Sequence, residues 1–154
     1  SPDYYCMDGT IPRHRLPEVL KRTSELSKEY DLQVANVFHA GDGNMHPLIL
    51  YNANNPGELE RTEELGGKIL EICVAVGGTI TGEHGVGIEK INQMCVQFDK
   101  DELEQFRAIK RAFDPQELLN PGKGIPTPRR CSEYRALSPG GAGGEPGNSG
   151  ESVA

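Results

Sequence analysis

Apolar residues recur along this chain at spacings that alternate between the periods of a helix and a strand. Leu16, Val19, Leu20, Thr23, Leu26 and Tyr30 fall three and four apart, which predicts an amphipathic helix over about Leu16–Tyr30 with Pro17 in its first turn. Val34, Ala35, Val37 and Phe38 make Leu32–His39 a strand, and the run His46–Tyr51 (HPLILY) is a second. Between them Ala40-Gly41-Asp42-Gly43-Asn44 supplies the residue types that tolerate positive φ, so the two strands read as a hairpin around a glycine-rich turn. A second helix opens after Asn55-Pro56-Gly57 with Leu59, Leu65, Ile69, Ile72, Cys73 and Val76 on one stripe, and Gly77-Gly78 stops it. Thr79–Thr81 is a short strand leading into the loop Gly82-Glu83-His84-Gly85-Val86-Gly87. Further helices are expected over Ile88–Cys95 and Asp101–Phe113, the latter with Asp99 as N-cap and Leu103, Phe106, Ile109 and Phe113 on one face. Beyond Asp114 the prolines at 115, 121, 126 and 128 leave a short helical turn and an extended loop. The element order predicts an α+β fold, an antiparallel sheet with helices packed on one face.

Composition changes this picture in two places. Residues 138–154 hold six of the 19 glycines and two of the 11 prolines of the 154-residue chain and almost nothing to bury. They read as a disordered tail, with the domain over 1–130 and the Gly/Pro/Ser-rich tail over 131–154. The net charge of −7 excludes the basic footprint of a nucleic-acid binder. No apolar run reaches the roughly 18 residues of a membrane span, and Ser1–Asp8 lacks the features of a secretory signal. The four cysteines, Cys6, Cys73, Cys95 and Cys131, show no CxxC pairing, so a disulfide or zinc-ribbon framework is not expected and a reducing, cytoplasmic setting fits.

The chemistry concentrates in two glycine-rich loops. His39 and His46 bracket the turn HAGDGNMH, and a hairpin there lets both imidazoles point at one centre. Two neutral imidazoles and a carboxylate form a ligand set for zinc or non-haem iron. Glu83 is the leading third ligand, with Asp42 as its rival; an Asp between two glycines commonly serves the turn itself. The competing reading makes each histidine a hydrogen-bonded structural residue and Gly-Asp-Gly-Asn a plain turn. Gly41-x-Gly43 is not a dinucleotide loop, because the third glycine position is His46 and a strand follows rather than a helix.

Three segments, VFHAGDGNMHPLILY (37–51), GGTITGEHGVGIEK (77–90) and FDPQELLNPGKGIP (113–126), together resemble the C-terminal part of the FAD-linked oxidases of the vanillyl-alcohol-oxidase type, and within them the branch acting on glycolate, D-lactate and D-2-hydroxyglutarate. The resemblance is strongest to the glycolate oxidase flavin subunits. It covers roughly Asp3–Tyr134. It implies a ferredoxin-like part of a substrate domain and oxidation of a 2-hydroxy acid to the 2-oxo acid with hydride passing to FAD. It further implies a divalent metal (Zn, Mn or Fe) on His39, His46 and Glu83, His84 as catalytic base and Asn120 at the flavin. The resemblance also implies a second flavoprotein-like subunit and an iron–sulfur subunit, and so a cytoplasmic protein peripheral at the inner membrane through its partners. Where the 2-hydroxyglutarate branch has a substrate-holding asparagine two positions after the second histidine, this chain has Leu48, which points to a smaller acid such as glycolate or D-lactate. Arg13 and Arg15 are candidate carboxylate contacts, read first as solvated helix-entry charges. The FAD-binding part of the family pattern is absent, so a C-terminal fragment is expected, inactive and without stable FAD binding by itself. A metal-dependent hydrolase on the same ligands and a non-catalytic assembly fragment are the alternatives.

Overall fold

The structure is a computed structural model describing residues 1–137; the tail expected over 138–154 lies outside the described residues. The two arms of the hairpin are seven and eight residues long, the first largely exposed and the second largely buried. β3 (Gln33–His39) pairs antiparallel along its whole length with β4 (Asn44–Tyr51), from Gln33 opposite Leu50 to His39 opposite Asn44. The turn closes on His39, whose carbonyl accepts the N–H groups of Asp42 and Gly43 at 3.0 Å each. Gly43 is required there: its φ is +77°, and a Cβ would stand 2.2 Å from the Ile11 carbonyl oxygen.

The other edge of β4 is taken by two strands that the hydrophobic pattern does not announce. β1 (Asp3–Cys6) pairs with the far half of β4 and β2 (Gly9–Thr10) with its start, so β4 is central and β3 lies on the other side. Residues 1–10 escape sequence reading because β1 is four residues long and β2 only two, too short for a period to show. The expected strand at Thr79–Thr81 is a single antiparallel bridge from Thr79 to Thr10.

Two helices cover one face of this sheet. α1 (Leu16–Glu29), entered through a 3-10 turn at Arg13–Arg15, and α2 (Glu58–Ala75) pack on each other and on the sheet, as the periodicity predicts. Successive β4 side chains point to opposite faces, and the helix-facing Met45 and Ile49 are 1% and 0% exposed, against Val19, Leu65, Ile69 and Cys73 from the helices. A further core of Met7, Leu70, Ile80, Met94 and Leu103 joins the sheet to the later elements.

Downstream, four expectations need correction. The helix expected over Ile88–Cys95 is mostly a succession of turns, and only α3 (Met94–Gln97) is helical. The reason is local: Gly85 and Gly87 carry positive φ, and Lys90 turns fully inward to bond Asp8 instead of continuing a regular surface. α4 (Lys100–Phe113) follows with Asp99 in a capping box, as expected, and then Asp114–Gly124 forms turns with no helical segment. The carboxylate of Asp114 accepts the N–H groups of Leu118 and Leu119 there, and Glu117 and Asn120 adopt positive φ. Last, α5 (Pro128–Leu137) is a helix where the sequence reading ends the domain at 130. Pro128 is its first residue, a position that proline tolerates. Cys131 of α5 forms a disulfide with Cys95 of α3, contrary to the expectation of none. Their separation of 36 residues fits no local motif, and only the return of α5 joins them. Cysteine usage therefore gives no argument for a reducing compartment. Among the described residues no helix is long and apolar enough to cross a membrane.

Candidate metal centre

The helix-free face of the sheet carries the chemistry. Residues opposite each other in a ladder share a face, as do alternate residues of a strand. His39 opposite Asn44, then His46 and Leu48, then Cys6 opposite Leu48, therefore lie on one face. The rings of His39 and His46 meet edge to face, centroids 5.2 Å apart. This is the convergence that the hairpin reading requires.

The loop after α2 swings over that face and delivers Glu83 between the two rings. One carboxylate oxygen of Glu83 lies 3.4 Å from His39 Nε2 and the other 3.9 Å from His46 Nε2. Two donors bound tetrahedrally to one cation stand about 3.4 Å apart, given metal–ligand lengths near 2.1 Å. The three donor atoms all lie within 4.8 Å of one another, so the set fits a divalent cation. Asp42, the rival carboxylate, is not in this group. Arg15 is engaged with Glu18, the role of a helix-entry charge.

Glu83 reaches this position because its backbone is nailed from below by a residue that sequence reading passed over. Asp8, between β1 and β2 and 0% exposed, accepts through Oδ2 the N–H groups of Gly82 (2.7 Å), Glu83 (2.5 Å) and His84 (3.1 Å). Its other oxygen bonds the ammonium of the buried Lys90 and Thr81 Oγ1. Burial alone raises a carboxyl pKa, but the bond from Lys90 and the three backbone donors outweigh it and hold Asp8 well below the usual carboxylate range. The charge of Asp8 is thus cancelled by Lys90. Glu83, by contrast, has no Lys or Arg partner among the described residues, so the centre keeps a net negative charge suited to a cation. No periodic pattern marks Asp8 or Lys90; the only hint in the sequence is a charged residue at each end of otherwise turn-like segments.

His84 stands on the other side of His46, ring centroids 5.2 Å apart, 40% exposed, and outside the His39/His46/Glu83 donor group. Its Nδ1 faces Asp8 Oδ1 at 3.6 Å, too far for a hydrogen bond. Gly82 makes the crossing possible: a Cβ there would come within 2.5 Å of the buried Asn44 side chain. Asn44 Oδ1 is buried without a hydrogen-bond partner among the described residues, while its Nδ2 stands 3.5 Å from His46 Nε2. Asn120 lies on a separate loop, tied to this one by the hydrogen bond from Gly124 N–H to the Gly87 carbonyl at 2.7 Å.

Residues 1–124 match the family model described as FAD linked oxidases, C-terminal domain. The chain belongs to this family. Among curated FAD-linked oxidase relatives, it is 70% identical over 137 residues to "Glycolate oxidase subunit GlcD" of Escherichia coli (strain K12), covering 89% of this chain and 28% of that protein. It is 40% identical to the protein of the same name from Bacillus subtilis (strain 168), over 80% of this chain and 26% of the relative. "D-lactate dehydrogenase" of Archaeoglobus fulgidus is 37% identical over 76% of this chain and 26% of its own length. The chain thus spans about a quarter of the length of these FAD-linked oxidase relatives.

Proposed function

We propose that this chain supplies the metal-binding and proton-abstracting part of the active site of a flavin-dependent 2-hydroxy-acid dehydrogenase, acting on a small acid such as glycolate or D-lactate. The observation that carries the reading is the meeting of His39, His46 and Glu83 around one point, with His84 beside them and excluded from the set. When bound, a divalent cation (Zn, Mn or Fe) supplies Lewis acidity toward the substrate oxygens and FAD accepts the hydride. His39, His46 and Glu83 hold the cation. His84 takes the substrate hydroxyl proton. With the hydroxyl proton on His84, the α-hydrogen would leave with its electron pair to FAD, when bound, and the 2-hydroxy acid would become the 2-oxo acid. Leu48, two residues along the same face from His46, sets an apolar wall that suits a short substrate chain. Asn120, on the loop fastened to Gly87 through Gly124, would contact the flavin when it is bound.

The names of the glycolate oxidase relatives denote subunits, which supports a place in a multi-subunit assembly; we propose a second flavoprotein-like subunit and an iron–sulfur subunit as its partners, and through them a peripheral place at the inner membrane. The FAD-binding portion belongs to the remainder of such a protein, and we expect this chain alone neither to hold FAD tightly nor to turn over.

Metal titration tests the reading. The chain takes up one Mn2+; His39→Ala and Glu83→Gln each weaken uptake by about tenfold or more. His84→Ala leaves uptake intact while abolishing flavin reduction in the full-length enzyme. Uptake indifferent to His39 and Glu83, or normal flavin reduction in His84→Ala, overturns the assignment.

A further inference from the structure

A second donor set lies on the same face, outside the proposed mechanism. Cys6 ends β1 opposite Leu48, so its side chain projects beside His46. Its sulfur, one nitrogen of His46 and one of His84 lie within 4.8 Å of one another. Cys6 is also the only thiol a solute can reach. Cys73 is 1% exposed, and Cys95 and Cys131 are joined to each other.

The donors differ in kind from those of the first set. His39, His46 and Glu83 offer two nitrogens and an oxygen, suited to hard or borderline cations; Cys6, His46 and His84 offer sulfur and two nitrogens, which favour thiophilic ones. We propose that Cys6, His46 and His84 form a second, inhibitory cation site, selective for thiophilic ions such as Cd2+ and Zn2+. Binding exchanges the Cys6 S–H bond for a sulfur–metal bond and releases the proton to solvent, with no change of oxidation state. Occupation engages the rings of His84 and His46, both of which the proposed mechanism uses. The inhibitory consequence rests on the function proposed above, whereas the binding claim does not.

Cd2+ alone is the probe, because its bond to a thiolate produces a near-ultraviolet charge-transfer band. Titrating the chain with Cd2+ raises this band to a plateau at one equivalent. Cys6→Ser abolishes it. His84→Ala weakens binding by about tenfold or more, and His39→Ala, which removes no donor of this set, keeps the band and weakens binding less than His84→Ala. No band in the native chain, a band that persists in Cys6→Ser, or an affinity that depends on His39 and not on His84 overturns the proposal. The Mn2+ titration of the first set is read separately, so failure of one does not carry over to the other.

Discussion

At the scale of single residues, the centre depends on Asp8. Its carboxylate gathers three consecutive N–H groups of the loop that presents Glu83 and His84, a cradle that fixes backbone rather than side chain. Lys90 is fully buried against it and also bonds the Asp8 carbonyl at 3.0 Å and Thr81 Oγ1 at 3.3 Å. Removing one partner of a buried pair strands the other, at a cost of about 3–5 kcal/mol. Asp8→Asn is therefore expected to lower unfolding free energy by that amount in urea titrations and to weaken metal uptake, although Asp8 is not a ligand. The double variant Asp8→Asn/Lys90→Met loses less than Asp8→Asn alone, because no charge is left unpaired. The same group shapes the acid limb. The folded pKa of Asp8 lies below the unfolded value of about 3.9, as does that of Asp114 through its bond from Lys110. Their contributions are complete above that value and disappear as pH falls through it towards the folded values. Urea midpoints measured between pH 7 and pH 3 are expected to decline below about pH 4, and less steeply in Asp8→Asn.

At the scale of elements, α2 and α5 show opposite ways of being held. α2 buries Leu65, Ile69, Leu70, Ile72 and Cys73, so its place follows from apolar area removed from water. α5 buries only Cys131. It is held instead by the disulfide, by Arg135 donating to the Cys95 carbonyl at 2.9 Å, and by Tyr134 donating to Glu71 and accepting from Gln93. A bridge closing 36 residues removes about 4 kcal/mol of unfolded-state freedom. Reduction, or Cys131→Ser, is expected to lower thermal stability and to open α5 to trypsin at Arg129 and Arg130 while the hairpin stays protected, a pattern read by limited proteolysis.

At the scale of the whole molecule, surface exposure matches a chain about a quarter as long as its relatives. Ile109, Phe113, Leu118 and Leu119 along α4 and the loop after it are 59%, 85%, 71% and 62% exposed, and Val37 and Tyr4 on the open sheet face are 54% and 66% exposed. Exposed apolar groups in this number favour association. The chain alone is expected to self-associate as concentration rises, and Phe113→Ser to shift light scattering towards monomer. Equal scattering for both proteins tells against this.

The hydrophobic pattern by itself determined α1, the β3–β4 hairpin, α2 and the capped start of α4, because each buries a periodic stripe or closes through turn residues adjacent in sequence. The two glycine-rich loops singled out His39, His46 and Glu83 as candidate ligands, and the family resemblance added the role of His84. Tertiary structure alone decided that Glu83 rather than Asp42 joins the histidines, that Asp8 and Lys90 hold the loop beneath them, and that Cys95 meets Cys131. Asp8 is 75 residues from Glu83 and 82 from Lys90 along the chain. Contacts over such distances leave no local period, and only the packing of strands, loop and returning helix brings them together.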